Sequence, residues 1–207
     1  MFEIILGAGM VGAVAALLAG IRSGDRVLET VSKGAASGCF VALALGRCDP
    51  GSAVDLWLTA GLVACAVGDL LLLVDRAFVL GLVSFLIGHV GYIAAFTVAR
   101  PPASWPVAGL APLVAAAVVV AYWLWPRLGR RRAPVMVYIA VISAMVWGAF
   151  AAAGRGGLWP GVAVGALLFY LSDLEVARRR FVGGGVGTRM VGLVLYYAGQ
   201  LLIALAV

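Results

Sequence analysis

The sequence carries very little charge. Only 12% of its 207 residues are charged, whereas 64% are hydrophobic. Soluble domains are about half apolar and about one quarter charged, so this balance excludes an ordinary soluble protein. The net charge of +6 would suit a nucleic-acid partner, but its distribution along the chain follows a membrane instead. We therefore interpret the chain as an integral membrane protein that binds no nucleic acid.

Residue types that catalytic sites often use are also scarce. The chain has one histidine, His89, and three cysteines that form no cluster with it. A catalytic zinc ion usually takes three protein ligands, so a zinc hydrolase is disfavoured and we expect no metal or other cofactor. No GxSxG motif is present, which leaves a serine acyl-enzyme triad without support.

Long apolar runs occupy most of the chain. A run of about 20 residues crosses the hydrocarbon core of a bilayer as a helix, and eight such runs are separated by short connectors rich in Pro, Gly and charge. They cover residues 2–20, 31–46, 55–74, 78–98, 106–125, 134–153, 158–175 and 187–207. The sequence thus predicts an all-α, polytopic membrane protein, a bundle of eight transmembrane helices in a single domain over residues 1–207.

Basic residues are distributed unevenly between the connectors. Twelve of the fifteen Lys and Arg residues lie in or beside the odd-numbered connectors. These are Arg22, Arg26, Lys33, Arg76, Arg127, Arg130, Arg131, Arg132, Arg178, Arg179, Arg180 and Arg189, against Arg47, Arg100 and Arg155 in the even-numbered ones. Because basic loops remain in the cytoplasm, we expect a cell-membrane protein with both termini outside. The clusters GRRR and ARRR either bind anionic membrane lipids or serve as a topology signal alone.

Two carboxylates interrupt the apolar runs at a similar depth. Asp69 precedes Asp75 by six residues and Asp173 precedes Arg178 by five. At about 1.5 Å per residue, both lie about 8 to 9 Å from the cytoplasmic ends of their helices. Other polar residues accompany them: Tyr138 in the same layer, Lys33 at the inner mouth, and His89, Tyr92, Tyr196 and Gln200 deeper in the bundle.

The cost of an ionisable group in a membrane makes this layer a candidate site that faces the bundle interior. The structural alternative is that each Asp caps a helix or pairs with Lys33 to fix the bundle. Glu29 and Glu175 are expected at the interfaces as solvated charges. Two acids in unequal environments can divide the work of a hydrolase, with one protonated as general acid and the other ionised as base. The drier flanks of Asp69 favour it as the donor, although the residues leave that assignment open.

A weak internal repeat relates the two acidic segments. GLVACAVGDL and GALLFYLSDL both end in a small residue, Asp and Leu, and both carry a glycine, Gly61 or Gly165, eight residues before the acid. Two four-helix halves in parallel orientation would produce this pattern and would place the acids across a shared site. Chance similarity between apolar segments is the alternative.

The spaced polar motifs resemble those of the lysoplasmalogenase (YhhN-like) family of eight-helix membrane enzymes. The segments that carry the resemblance are GDLLLL, FVLGLVSFLIGHVGYIAAF, PVMVYIAVISAM and GALLFYLSDL, in this order over nearly the whole chain. The resemblance implies hydrolysis of the vinyl ether bond of lysoplasmalogens, with release of a fatty aldehyde and a glycerophospho-base. The substrate would therefore be a lysophospholipid.

The resemblance also implies roles for particular residues. It places the two catalytic acids at Asp69 and Asp173, with the family's histidine, tyrosine and lysine at His89, Tyr138 and Lys33. Tyr92, Tyr196 and Gln200 are further candidates for substrate binding. Lys33 or an arginine is expected to contact the lipid phosphate, and Lys33 is preferred. The family often has proline after this lysine, whereas this chain has Gly34, so the local shape of helix 2 is open. A small proton-coupled transporter or lipid carrier that uses the acids as a proton relay is the second interpretation, and a purely structural membrane protein is the third.

The basic-residue asymmetry predicts the topology. Reporter fusions at Gly129 and at the C-terminus should label opposite sides of the membrane, with Gly129 in the cytoplasm. A C-terminus found in the cytoplasm would contradict this orientation.

Overall fold

The computed structural model describes residues 1–154 and 157–207, so Arg155, counted above, lies outside the described residues. The described residues form eight α-helices joined by short turns. The helices are α1 (Phe2–Ser23), α2 (Arg26–Arg47), α3 (Ala53–Leu71), α4 (Phe78–Ala99), α5 (Leu110–Leu128), α6 (Arg132–Ala152), α7 (Gly161–Phe181) and α8 (Val186–Ala204). The predicted all-helical class is confirmed.

Helix α2 begins at Arg26, about five residues before the expected start of the apolar run. Its N-terminal cap is Asp25, whose side chain accepts hydrogen bonds from the backbone N–H groups of Val27 and Leu28, each at 3.0 Å. A capping carboxylate satisfies N–H groups that have no partner within the helix, so the polar segment before the apolar run is also helical. Lys33 therefore lies two turns inside α2 instead of at its mouth.

Helix α7 continues beyond the expected end of its apolar run to Phe181. Its last turn contains Arg178, Arg179 and Arg180, and positive side chains at a C-terminus are stabilised by the helix dipole. The arginine cluster is thus part of the helix that carries Asp173 and is fixed relative to that carboxylate.

Most of these helices are suited to a membrane. Six helical stretches of the described residues are long and apolar enough to cross a bilayer, and one of them, Val107–Ala152, contains both α5 and α6. Helix α7 is not among them, because five charged residues fall within its last nine positions. Large apolar side chains such as Ile87, Val98 and Val119 are exposed on the outside of the bundle, where hydrocarbon is their natural solvent. The chain is a multi-pass membrane protein.

Two helix pairs pack through glycine backbones. A Cβ at Gly61 of α3 would lie 3.0 Å from the carbonyl oxygen of Gly88 on α4, and a Cβ at Gly165 of α7 would lie 2.8 Å from the carbonyl oxygen of Gly199 on α8. Small residues allow this close approach between membrane helices. Gly61 and Gly165 are the glycines of the internal repeat, and each lies where its helix touches the next one.

Helix α8 lies against α1, α2, α3 and α7, whereas α5 packs at the periphery against α6. The small α5–α6 cluster contains Val120, Leu124, Leu128 and Ile139. The main core lies between the other helices and the second half of α6. Helices α2, α3, α4, α7 and α8 therefore surround the polar layer, and they supply all but one of the predicted site residues.

The glycine contacts predict a test of packing. Gly165→Ala should destabilise the protein by about 1 to 3 kcal/mol, the usual cost of overpacking, because the new methyl group would press on a backbone carbonyl. Gly12→Ala is the matched control, since a Cβ there has no neighbour within 4 Å. Thermal unfolding in detergent measures both, and equal melting temperatures for the two variants would contradict the close contact.

Candidate active site

Asp69 is surrounded by hydrogen-bond donors from two other helices. The ammonium of Lys33 lies 2.9 Å from Oδ1. The hydroxyl of Ser37 donates to Oδ2 at 2.6 Å, and the hydroxyl of Tyr197 donates to the same oxygen at 2.5 Å. Lys33 and Ser37 are four residues apart, so both point from one face of α2. Asp69 is 2% exposed, and these three donors together suit an ionised carboxylate.

The position of Lys33 corrects the expectation that its ammonium is available to a lipid phosphate. The residue is only 5% exposed, and its charge is paired with Asp69. This pairing is the structural alternative considered from the sequence, and it follows from the earlier start of α2, which carries Lys33 into the bundle. Lys33 still forms part of the cavity wall beside the carboxylate.

Asp173 has different neighbours. Tyr138 of α6 donates a hydrogen bond to Asp173 Oδ2 at 3.2 Å, and His89 Nε2 of α4 lies 3.1 Å from the same oxygen. The histidine contact is close but not aligned as a hydrogen bond; catalytic contacts often tighten only with substrate present. The Asp173 side chain is 10% exposed. No lysine or arginine lies within 4 Å of it among the described residues.

The backbone fixes the tautomer of His89. Its Nδ1 lies 2.6 Å from the carbonyl oxygen of Phe85, and a carbonyl can only accept, so Nδ1 must carry a proton. Stacking on Phe169, with ring centroids 4.4 Å apart, holds the ring plane. In the neutral imidazole, Nε2 then presents a lone pair toward Asp173. An ionised Asp173 and a neutral His89 would be two acceptors in contact, so this contact is favourable only when the two groups share one proton.

Both carboxylates line one cavity. Asp69 and Asp173 face it together with Phe85, Phe169 and Tyr196, and its volume is about 90 Å³. Binding sites for drug-sized ligands usually measure about 300 to 1,000 Å³, so this space accommodates a reacting group and water but not a whole lipid. The two acids from α3 and α7 therefore meet at one small site.

The other predicted site residues divide between the cavity and a deeper layer. Tyr196 lines the cavity, and its hydroxyl donates to the carbonyl oxygen of Cys65 at 3.3 Å. Tyr92 and Gln200 are fully buried and do not line it; the Tyr92 hydroxyl donates to Gln200 Oε1 at 2.6 Å. His89 and Tyr138 contact Asp173 but do not line the cavity. The structure thus brings Lys33, the two acids and Tyr196 to the cavity itself.

Several polar residues at the site were not among the sequence candidates. Ser37 and Tyr197 both bind Asp69; the four-residue spacing from Lys33 could have indicated Ser37, but nothing local distinguishes Tyr197. Glu29 and Glu175 are not solvated charges, since their side chains are only 13% and 15% exposed. Glu29 forms a salt bridge with Arg189 of α8, a residue 160 positions away. Glu175 lines the cavity and pairs with Arg178.

These features define a class: multi-pass α-helical membrane proteins with two buried carboxylates, each in a different electrostatic environment, at one cavity near the helix ends. The sequence matches the model of the YhhN family over residues 28–207. The chain belongs to the YhhN family.

Relatives from distant organisms are similar to most of the chain. A Mycobacterium bovis protein named lysoplasmalogenase is 36% identical over 155 residues, which are 71% of this chain and 58% of that protein. Lysoplasmalogenase TMEM86B of Mus musculus is 32% identical over 72% of this chain and 63% of its own length. Lysoplasmalogenase TMEM86A of Homo sapiens is 36% identical over 70% of this chain and 62% of its own length. The chain thus spans about three fifths of these relatives' lengths. No solved structure matches it.

The ion pair predicts a large loss of stability for Lys33→Met. This variant would leave a buried carboxylate without its counter-charge, which typically costs about 3 to 5 kcal/mol. The double variant Lys33→Met/Asp69→Asn removes that charge and should recover part of the loss.

Glu3→Gln is the control, because it breaks the Glu3–Arg47 pair, whose side chains are 49% and 31% exposed. Exposed pairs contribute only about 0 to 1 kcal/mol. Melting profiles in detergent measure all three variants. A Lys33→Met protein that melts like its parent would contradict the pairing.

Proposed function

We propose that this chain hydrolyses the vinyl ether bond of lysoplasmalogens, releasing a fatty aldehyde and a glycerophospho-base. The observation that carries the proposal is the pair of carboxylates at one cavity, one surrounded by donors and the other in contact with a histidine. The names of the relatives support the same substrate. The family resemblance and these contacts together favour an enzyme over a transporter.

We infer that all eight helices cross the cell membrane, with both termini outside and the basic ends of α5, α7 and α8 in the cytoplasm. The basic-residue distribution supports this orientation. The charges that lower the hydropathy of α7 lie mostly in its last turns, where arginine side chains reach the lipid headgroups. The glycine contacts of α3 with α4 and of α7 with α8 support two parallel four-helix halves within a single domain over residues 1–207.

The Asp173–His89 pair is the proton donor in this proposal. Vinyl ether hydrolysis begins with transfer of a proton to the carbon β to the ether oxygen, which forms a C–H bond and leaves an oxocarbenium ion. Asp173 lines the cavity, and its contact with His89 Nε2 provides the shared proton. The assignment reverses the preference for Asp69 that the sequence suggested, because Asp69 already accepts from an ammonium and two hydroxyl groups.

Asp69 is the permanent anion of the site. Its charge stabilises the oxocarbenium ion electrostatically, and in a dry cavity such stabilisation is stronger than in water. The deprotonated Asp173–His89 pair then takes a proton from water as the water oxygen bonds to the cationic carbon. The resulting hemiacetal transfers its hydroxyl proton to the glycerol oxygen and breaks the C–O bond. One water molecule is consumed, and both carboxyl groups return to their starting states.

The remaining candidates position these groups. Tyr138 holds Asp173 through its hydroxyl, and Tyr196 forms part of the wall against which the alkenyl group lies. The Tyr92–Gln200 hydrogen bond fixes the layer behind Phe169, whose ring supports His89. Lys33 fixes Asp69. No metal or other cofactor takes part in this proposal.

Asp173→Asn tests the donor assignment. The amide keeps the size and the hydrogen bond from Tyr138 but cannot supply the proton, so kcat for aldehyde release should fall by about 10² to 10⁴-fold. Asp75→Asn, the same change at an exposed position between α3 and α4, should leave the rate unchanged. Both proteins should melt like the parent.

A folded Asp173→Asn protein with near-parent activity would contradict the mechanism. Asp69→Asn is the less selective variant, because the change leaves the Lys33 ammonium buried without its partner. If the parent protein releases no aldehyde but shows proton-coupled uptake in liposomes, the result would favour the transporter over the enzyme.

A further inference from the structure

A second cavity adjoins the catalytic one at the C-terminal end of α7. Its volume is about 380 Å³, and its wall includes Arg179, Arg180 and Arg189. Val176, Arg179 and Arg189 line both cavities. The two spaces therefore meet along α7, and the outer one, which we call the arginine vestibule, leads from the end of the bundle toward Asp173.

The charges around the arginine vestibule are unbalanced. Four arginines, Arg178, Arg179, Arg180 and Arg189, stand near two glutamates, Glu29 and Glu175, which leaves a net charge of about +2. Arg178 pairs with Glu175, and Arg189 pairs with Glu29. Within residues 1–154 and 157–207, no carboxylate lies within 4 Å of Arg179 or Arg180.

The two unpaired arginines are held in place by contacts that do not use their N–H donors. The guanidinium of Arg180 lies over the ring of Phe78, 4.7 Å from its centroid. The aliphatic stem of Arg179 packs against Gly184, where a Cβ would lie 2.8 Å from Arg179 Cγ. A fixed guanidinium with available donors is well suited to a phosphate group, which it can bind through two parallel hydrogen bonds.

We propose that the arginine vestibule binds the phosphodiester of the substrate, with Arg179 and Arg180 as its ligands. The inference rests on the proposed function. It assigns phosphate binding to these arginines instead of Lys33, whose ammonium is paired with Asp69. It assigns the basic cluster of α7 a role in binding beyond that of a topology signal.

The spacing along α7 matches the substrate. Six bonds of ~1.5 Å separate the vinyl ether carbon from the phosphorus, and because an extended chain zigzags, its end-to-end span is roughly 7.5 Å. Arg179 and Arg180 follow Asp173 by six and seven residues, a rise of about 9 to 10 Å. Side chains on a helix lean toward its N-terminus, so both guanidinium groups can reach back toward a phosphate at that distance.

The test compares two substrates that share the vinyl ether. One is a lysoplasmalogen with a phosphoethanolamine headgroup, and the other is a 1-O-alkenylglycerol that lacks phosphate. The kcat/KM for the lysoplasmalogen, divided by the kcat/KM for the alkenylglycerol, should fall about tenfold or more in Arg179→Gln and in Arg180→Gln. The main cause should be a higher KM for the phospholipid. Arg131→Gln, an exposed arginine in the α5–α6 turn that lines neither cavity, should keep the parent ratio.

An equal loss of activity on both substrates would mean a structural role and would overturn the proposal, as would an unchanged ratio. A binding measurement separates this proposal from the proposed function. If the parent hydrolyses neither substrate, calorimetry should measure the binding of a saturated ether lysophospholipid, which tests the phosphate site without any hydrolysis. Binding that is lost in Arg179→Gln/Arg180→Gln and kept in Arg131→Gln supports the phosphate site, and binding that is absent or insensitive to these arginines overturns it.

Discussion

A carboxylate inside a lipid-embedded bundle must be neutralised, and here the neutralising group is the ammonium of Lys33, 2.9 Å from Asp69. Ser37 and Tyr197 complete the set of donors, so α2, α3 and α8 meet at a single side chain. Asp69 is only 2% exposed, so water replaces little of a missing partner. The positions of these three helices, and hence the wall of the cavity that the two acids share, depend on this one ion pair.

The surroundings of Asp173 differ from those of Asp69 because Asp69 already binds the Lys33 ammonium. Lys33 is the only lysine of the chain, and Asp69 occupies it, so Asp173 is left with a tyrosine hydroxyl and a histidine. Identical side chains at one cavity therefore have different electrostatic surroundings because their neighbours differ. His89 presents the lone pair of Nε2 to Asp173 because a backbone carbonyl of its own helix fixes the tautomer.

The sequence predicted what depends on local pattern and missed what depends on helix rotation. The apolar runs gave the helices, and equal depth placed Asp69 and Asp173 together. The apolar pattern does not include the cap at Asp25, which lengthens α2. The sequence therefore predicted Lys33 at the cytoplasmic end of the helix instead of two turns inside it. The partners of Asp69 and the Glu29–Arg189 bridge join residues far apart in sequence. Their contacts require that several helices each turn one particular face inward, and hydropathy does not specify that angle.

Hydropathy describes α7 least well, and α7 contributes more residues to the cavity wall than any other helix. Asp173 and the cavity-lining residues Glu175 and Arg179 occur on this helix, and they are among the charges that keep it outside the set of apolar stretches. Among the stretches that do qualify, the one with the lowest hydropathy is α2, which supplies Lys33 and Ser37. Local rules of membrane folding are violated where function requires charge. The stabilising partners of that charge come from other helices, so the departure from the apolar pattern was itself a signal for the site.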